Sequence, residues 1–452
     1  MLASCPHFAD ATNDMDHGTI SGAPSTGWGK AAALLRRHER LLFALMIVVQ
    51  LIPIWSVTYL PTTDGAAHIA SAEVMRKIGD PSLSVLRKYY YVSGEPSPNL
   101  IGHLALAGLM SFLGPLAAEK VLVSLYVALF PLAVRYAVRS IRRSASPLAF
   151  LAFPMVYSYL FAQGFYNFCL SIAVFFFVVG YWIRHRDELN AWRGAVLAGL
   201  GLLLYACHLF SLMMACGVLG VLCICFWLKE GRAGIRPVAV TGLAFLPVVV
   251  MSVLFRPSTE KFAGGAGEWT PKQDLVDLLQ FHSLVSYREA EAWLGGGVAG
   301  VILAMVAWVV SGRLSSARAE GPSPRPSPGV PGEGVRGGQS PPYGFGRWDG
   351  LFLVALGLIG VYFLAHDDRS AHFYIPQRVM LFAFLMFLLW LAGQAMTLRL
   401  QVWVVLPAER RAAAVALLAM LAARAVAGPA GGGRDEPGQV PAVRPVSGED
   451  PV

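Results

Sequence analysis

The chain is 452 residues long, 56% hydrophobic and only 14% charged, with a mean hydropathy of +0.55. Soluble domains carry about 25% charged residues, so these values exclude a water-soluble globular protein and indicate a polytopic membrane protein. The net charge of +8 comes from small basic clusters between apolar runs, the pattern that orients membrane helices, and not from a nucleic-acid-binding stripe.

Residues 1–40 are polar and rich in small residues, ending in Lys30 and the cluster Arg36-Arg37-His38-Glu39-Arg40. They are expected to form a disordered cytoplasmic tail. Residues 41–60 then run without a charge, and about 20 apolar residues suffice to cross a bilayer as a helix. Directly after this run stands Leu60-Pro-Thr-Thr-Asp64-Gly-Ala-Ala-His68. On a helix, positions four apart share a face, so Asp64 and His68 point the same way. Asp64 is open to two readings here, a cap of the following helix or a catalytic carboxylate.

Residues 61–117 read as a long first outer loop. Its segment from His68 to Gly79 alternates Ile69, Val74 and Ile78 with charged residues and suits a helix lying on the membrane surface. The triplet Tyr89-Tyr90-Tyr91 reads as interfacial anchors or, at Tyr90, as a platform for a sugar. The apolar stretch Leu100–Leu113 is short for a span and is expected to be a second surface helix.

Further spans are expected at about 118–138, 147–163, 165–183, 193–208, 209–228, 237–255, 292–311, 350–365 and 378–397, with a weaker one at 412–427. The fold class is thus an all-α polytopic membrane protein with about 11 transmembrane helices. Residues 41–313 form the first part of the transmembrane domain and 349–428 the remainder. Residues 314–348 are expected to be a disordered Pro/Gly-rich cytoplasmic loop, and 429–452 a disordered tail. Basic clusters at Arg135–Arg143, Arg184–Arg193, Lys229–Arg236, Arg313–Arg318 and Arg410-Arg411 all fall on one side of this count, which predicts a cytoplasmic N-terminus. Five of the six cysteines lie inside apolar runs, so neither a disulfide framework nor a metal site is expected, and Cys223-x-Cys225 reads as two small buried residues.

With this topology the opposite, outer face collects Asp64, His68, the turn Gln163-Gly-Phe-Tyr-Asn167, His208, the loop 256–290 and the stretch from His366 to Arg378. Asn167 is either a turn residue or a pocket residue, and His208 either a hydrogen-bonded interfacial histidine or a pocket residue. The last loop packs two acids, two arginines and two histidines before its end, and arginine suits bidentate phosphate binding. The expected spans are nearly free of charge, which argues against ion-coupled transport.

This arrangement resembles the GT-C superfamily of integral-membrane glycosyltransferases, with an acid at the start of the first outer loop and two surface helices behind it. The second of these begins at Pro98-Asn-Leu-Ile-Gly-His103 and leads through Gly114 and Ala117-Ala-Glu-Lys120 into the next span. Asp64-Gly-Ala-Ala-His68, Gly164-Phe-Tyr-Asn-Phe168 and Asp368-Arg369 before Pro376 are similar to a set of uncharacterised bacterial membrane proteins related to that superfamily, which implies the bacterial inner (plasma) membrane. The resemblance covers about residues 40–400. It departs at Gly65, where many relatives carry a second acid.

The resemblance implies transfer of a sugar from a lipid-phosphate-linked donor, commonly a polyprenyl phosphate, to a glycan, lipid or protein acceptor on the outer face. Asp64 would be the general base and His68 would orient it or contact the acceptor. Arg369 and Arg378, assisted by His372 or Lys261, would hold the donor phosphate. Asn167, His208, Tyr90, Asp367 and Asp368 would line the pocket. Arginines supplying the charge make a metal unnecessary, and a divalent ion at Asp64 and Asp367/Asp368 is the alternative. The competing functions are a transporter or flippase of a lipid-linked glycan and a non-catalytic membrane scaffold.

Overall fold

The computed structural model describes residues 27–91, 97–255, 270–286, 289–319, 346–365 and 374–394. Among them every regular element is helical, as expected for a chain whose backbone groups must satisfy each other within an apolar phase. In chain order the α-helices are α1 Gly27–Trp55, α2 Gly65–Lys77, α3 Ser84–Tyr89, α4 Ile101–Leu109, α5 Pro115–Ile141, α6 Tyr159–Ala162, α7 Tyr166–His185, α8 Ala191–Cys207, α9 Leu209–Glu230, α10 Ile235–Leu254, α11 Pro271–Leu279, α12 Glu291–Ala319, α13 Asp349–Leu364 and α14 Ile375–Ala392.

Six stretches of the described residues are long and apolar enough to cross a membrane: Arg37–Trp55, Pro115–Ile141, Tyr166–Glu188, Leu209–Leu254, Glu291–Ser315 and Ile375–Ala392. Ala191–Cys207 and Asp349–Leu364 are apolar but shorter. The expected figure of about 11 spans is therefore not confirmed among these residues, in part because two expected spans share one apolar stretch and in part because one expected span takes another course. Leu209–Leu254 is one apolar stretch holding both α9 and α10, which meet where Gly231 takes a φ of 59°. The segment expected to span at 147–163 is instead a buried 3-10 helix, Arg143–Met155, followed by the short α6. Pro147 and Pro154 lie inside it, and a proline has no N–H for the α-helical ladder. The weak span at 412–427 lies outside the described residues.

Two boundaries also differ. α1 begins at Gly27, within the expected tail, because Lys30-Ala-Ala-Ala-Leu-Leu-Arg-Arg are strong helix formers. α12 continues to Ala319, into the start of the loop expected from 314. The division between the spans at 193–208 and 209–228 falls where it was expected: His208 is extended (φ −166°, ψ 125°) between α8 and α9.

The innermost helices are α7 and α14, whose apolar stretches are 83% and 89% buried by the rest of the protein, against 22% for α1. Phe175 of α7 and Phe382 of α14 meet edge-to-face at 4.8 Å, both fully buried. α1 is peripheral, so most of its apolar surface has no partner among the described residues and suits lipid contact. Among its described side chains Gln50 is buried and polar, 0% exposed, and its amide nitrogen and oxygen have no hydrogen-bond partner among the described residues. An unsatisfied buried polar group costs about 1–3 kcal/mol, and an apolar isostere removes that cost. Gln50→Leu is accordingly expected to raise the melting temperature of the detergent-purified protein by several degrees; a lower melting temperature would show that Gln50 has a partner worth keeping.

The two ends of the bundle differ in chemistry. One end gathers the basic clusters: Arg135 bonds Glu39 at 2.9 Å, Arg186 bonds Glu230 at 2.5 Å, and Arg142 donates to the Gln394 carbonyl at 2.8 Å. There Arg313 also reaches Asp349 at 2.9 Å, whose other oxygen accepts from the Trp390 indole. The other end carries Asp64, the first long loop, the α6–α7 turn, His208 and the start of α14. The arginines thus gather at one end of the bundle among the described residues. The five cysteines among the described residues are all free thiols.

Candidate functional site

The end carrying Asp64 is assembled on one tight turn, Gln163–Phe165, between α6 and α7. Gly164 sits there with φ +81°, a conformation that glycine alone adopts without strain. Because it has no side chain, the 62–65 segment lies against it: a Cβ at Gly164 would be 2.8 Å from the Asp64 nitrogen and 2.9 Å from that of Gly65. Two backbone bonds fasten the contact, Thr63 N to Ala162 O at 3.1 Å and Asp64 N to Gln163 O at 3.0 Å.

Asp64 occupies the N-cap position of α2, yet its carboxylate makes no capping hydrogen bond. The cap reading of Asp64 therefore fails in its physical content, since the side chain does not satisfy the orphan N–H groups of the first turn. His68 follows one turn on. Its Nδ1 lies 2.9 Å from Nε2 of His103 in α4, and its ring stacks on Tyr166 of α7 at a centroid distance of 5.2 Å. His103 Nδ1 faces the Asn99 carbonyl at 3.2 Å. The His68 Nδ1–His103 Nε2 bond takes a single proton, and which ring donates depends on the tautomer. Burial, and secondly the neighbouring His103, push the His68 pKa below its ordinary value, against an opposing pull from Asp64.

Behind Asp64 stands an acid the sequence reading did not place in the site. Glu119, near the start of α5, is 4% exposed and accepts a 2.6 Å hydrogen bond from the Tyr166 hydroxyl. Thr62 shares that hydroxyl at 2.8 Å. The carboxylate occupies the space left by Gly65: a Cβ there would be 2.4 Å from Glu119 Oε1. The signal in the sequence was the unusual Glu119-Lys120 pair within an otherwise apolar segment; His103 and Tyr166, polar rings among apolar neighbours, were legible in the same way.

Asn167 lies in the first turn of α7, not in the turn before it, and is 5% exposed. Both halves of its amide are used, Oδ1 accepting from Gly102 N and Nδ2 donating to the Asn99 carbonyl, each at 2.7 Å. It clamps the start of α4 beside Asn99, which is in a left-handed conformation (φ 65°), and so helps to position His103. Tyr90 stands apart from this cluster. It is 53% exposed at the end of α3 and shares none of the contacts above.

His208 and Arg378 form a second polar group on the same turn. Arg378 Nη1 lies 3.1 Å from His208 Nε2, and the guanidinium is 4.8 Å from the Phe168 ring centroid and 5.2 Å from that of Phe165. Arg378 is placed by α14, which starts at Pro376 after Tyr374 in a left-handed conformation. His208 Nδ1 faces the Phe210 N–H at 3.1 Å. A neutral imidazole has one acceptor nitrogen, so two donors compete for it and both oppose an imidazolium. Burial first, then the Arg378 charge, bring the His208 pKa down to about 3.

A group whose folded pKa is below its unfolded value is protonated first in the unfolded chain, so its stabilising effect is complete above about pH 6.5 and is lost on acidification. The melting temperature is therefore expected to fall as pH drops from about 6.5 towards 4. His208→Asn, which keeps a capping side chain without a titrating group, should flatten that slope; an unchanged slope would remove His208 as its source.

Lys261, Asp367, Asp368, Arg369 and His372 lie outside the described residues. Among the described residues, no three of His, Cys, Asp or Glu are grouped so as to hold a metal ion. No protein-family model, curated protein or solved structure matches the chain.

Proposed function

We propose that the protein is a membrane glycosyltransferase that moves a sugar from a lipid-phosphate-linked donor to an acceptor at the end of the bundle carrying Asp64. The observation that carries this reading is the Asp64 carboxylate. Its backbone is fixed by the Gly164 turn, its side chain is unused by the helix it precedes, and an imidazole pair and a second carboxylate stand beside it. A half-buried carboxylate released from structural work and held on a rigid support is what a general base requires.

Asp64 takes the proton of the acceptor hydroxyl as that oxygen attacks the anomeric carbon from the face opposite the phosphate, and the lipid phosphate leaves with the bonding electrons. His68, neutral and tied to His103, contacts the acceptor or holds Asp64 in line. Arg378 supplies positive charge for the departing phosphate, which costs less where the charge is already in place. The arginine-rich end faces the cytoplasm of a bacterial inner membrane in this reading, and Asp64 the outer side.

The test is to incubate the purified protein in lipid nanodiscs with polyprenyl-phosphate sugars and acceptor, and to measure free polyprenyl phosphate. Time-dependent release that needs enzyme and acceptor is the expected result. Vesicles in which labelled lipid-linked sugar crosses the bilayer without any release would identify a flippase and overturn the reading.

A further inference from the structure

Apart from the imidazole pair, a cleft of about 460 Å³ opens between the end of α1 and the start of α5. Trp55, Ser56, Val57 and Thr58 form one wall, and Leu116, Ala117 and Lys120 the other. Both walls lie inside described segments, 27–91 and 97–255. The volume falls in the range of small-ligand pockets, roughly 300–1,000 Å³.

The cleft sits where two candidate spans end. The apolar stretch of α1 stops at Trp55 and that of α5 begins at Pro115, so both walls stand where the chain leaves the hydrocarbon. Tryptophan and lysine meet lipid headgroups at this level. Leu45, Val48, Ile52 and Trp55 recur at helical spacing on α1, and each is more than half exposed. Among the described residues they form an apolar stripe that leads from the cleft along the span.

Lys120 supplies the charge. Its ammonium donates to the Val57 carbonyl and lies 5.7 Å from the centroid of the Trp55 ring. The indole in turn donates to Ser124, one turn further along α5, at 3.1 Å. These bonds hold the ammonium in place across the junction of the two helices. An ammonium carries three N–H donors and the Val57 carbonyl takes one, so donors remain for an anion in the cleft. Among the described residues no acid lines it: Glu119, next in the chain to Lys120, accepts from Tyr166 instead.

The hydroxyls complete the lining. Ser56 donates to the Pro53 carbonyl at 3.0 Å, which leaves its oxygen to accept. Thr58 is exposed on the same wall and offers a donor. The cleft thus presents a positive charge and a hydroxyl to an anionic oxygen, an acceptor to a hydroxyl, and an apolar stripe to a chain. A phosphodiester with a hydroxylated headgroup and acyl tails has all three parts, and basic pockets between membrane helices take such headgroups.

We propose that this cleft holds an anionic phospholipid of the phosphatidylglycerol type. Its phosphate lies on Lys120 and Thr58, its headgroup hydroxyl on Ser56, and an acyl chain along Ile52, Val48 and Leu45. The lipid bridges α1 and α5 at the start of the segment that leads to Asp64, bracing it from the membrane side. This binding is independent of the transferase reading, since none of these residues takes part in transfer.

The experiment titrates the delipidated full-length protein in detergent with phosphatidylglycerol and with phosphatidylcholine of the same acyl chains, reading retained lipid by native mass spectrometry. Saturable retention of phosphatidylglycerol is expected, about tenfold tighter than that of phosphatidylcholine and weakened about tenfold by Lys120→Gln. Lys88→Gln removes the same charge from the same end of the bundle and should leave retention unchanged. Thr58→Val spares the Lys120 contacts and should weaken it severalfold, which decides the matter where Lys120→Gln lowers the yield of folded protein. Equal retention of the two lipids, or retention indifferent to both substitutions, overturns the proposal and leaves Lys120 a strut between helices. Displacement of the lipid by inorganic phosphate at about 10 mM would show an anion site that needs no membrane, and overturns it as well. Because retention is read without turnover, a protein that holds the lipid but releases no polyprenyl phosphate refutes the transferase reading alone.

Discussion

Asp64→Asn is expected to lower the rate of sugar transfer by about 10²–10⁴-fold, the range over which a positioned general base contributes. The melting temperature should barely move, because the Asp64 carboxylate makes no cap hydrogen bond that an amide would forfeit. The backbone bonds that hold the segment, Thr63 N to Ala162 O and Asp64 N to Gln163 O, do not involve the side chain. An amide of the same shape thus removes basicity and little else. Full transfer activity in this variant would sink the assignment, and a large drop in melting temperature would turn Asp64 into a structural residue.

Glu119 provides the internal comparison. Glu119→Gln keeps an acceptor for the Tyr166 hydroxyl, whereas Glu119→Ala leaves that hydroxyl, bonded at 2.6 Å, without its buried partner. If Glu119 supports the site through Tyr166, the glutamine variant should retain most of the activity that the alanine variant loses. Equal losses in both would show that its charge takes part in the chemistry.

Gly164→Ala is the second large effect. A residue with a Cβ at φ +81° is strained by roughly 1–2 kcal/mol. The added carbon would also stand 2.8 Å from one backbone nitrogen and 2.9 Å from the next, atoms that cannot rotate away as a side chain would. The 62–65 segment must move off the turn, carrying Asp64 with it. A displacement of about 1 Å at a reacting group costs on the order of 10²-fold in rate, so both a lower melting temperature and a loss of transfer are expected. Gly199→Ala, in a helix with open space around the site, is the control and should be neutral or mildly stabilising. Similar behaviour of the two variants, measured by melting and by polyprenyl-phosphate release, would refute the close approach.

Much of the architecture was legible in the chain because it follows from composition and local chemistry. Apolar runs of span length become helices wherever the backbone has no water to bond. The extended break at His208 between α8 and α9, the helix after Asp64 and the arginine-rich end were all readable in this way. The 3-10 course of Arg143–Met155 was not foreseen, since hydropathy registers apolarity and not the donor lost at each proline. Nor was the early start of α1, where helix propensity extends the helix beyond the charge-free run.

The sequence by itself determined a helical membrane protein with a polar, acid-bearing loop after its first span. Only the tertiary structure decided what surrounds that acid. Glu119, 55 positions away, comes beside it because Gly65 leaves room for its carboxylate. Asn167 proved to be a clamp because both halves of its amide are bound. His68 found its partner in His103, 35 residues on, and Arg378 settled against His208, 170 residues away. These pairings depend on which faces of packed helices meet. No local pattern encodes that, because contact between distant residues is set by the packing of the whole bundle.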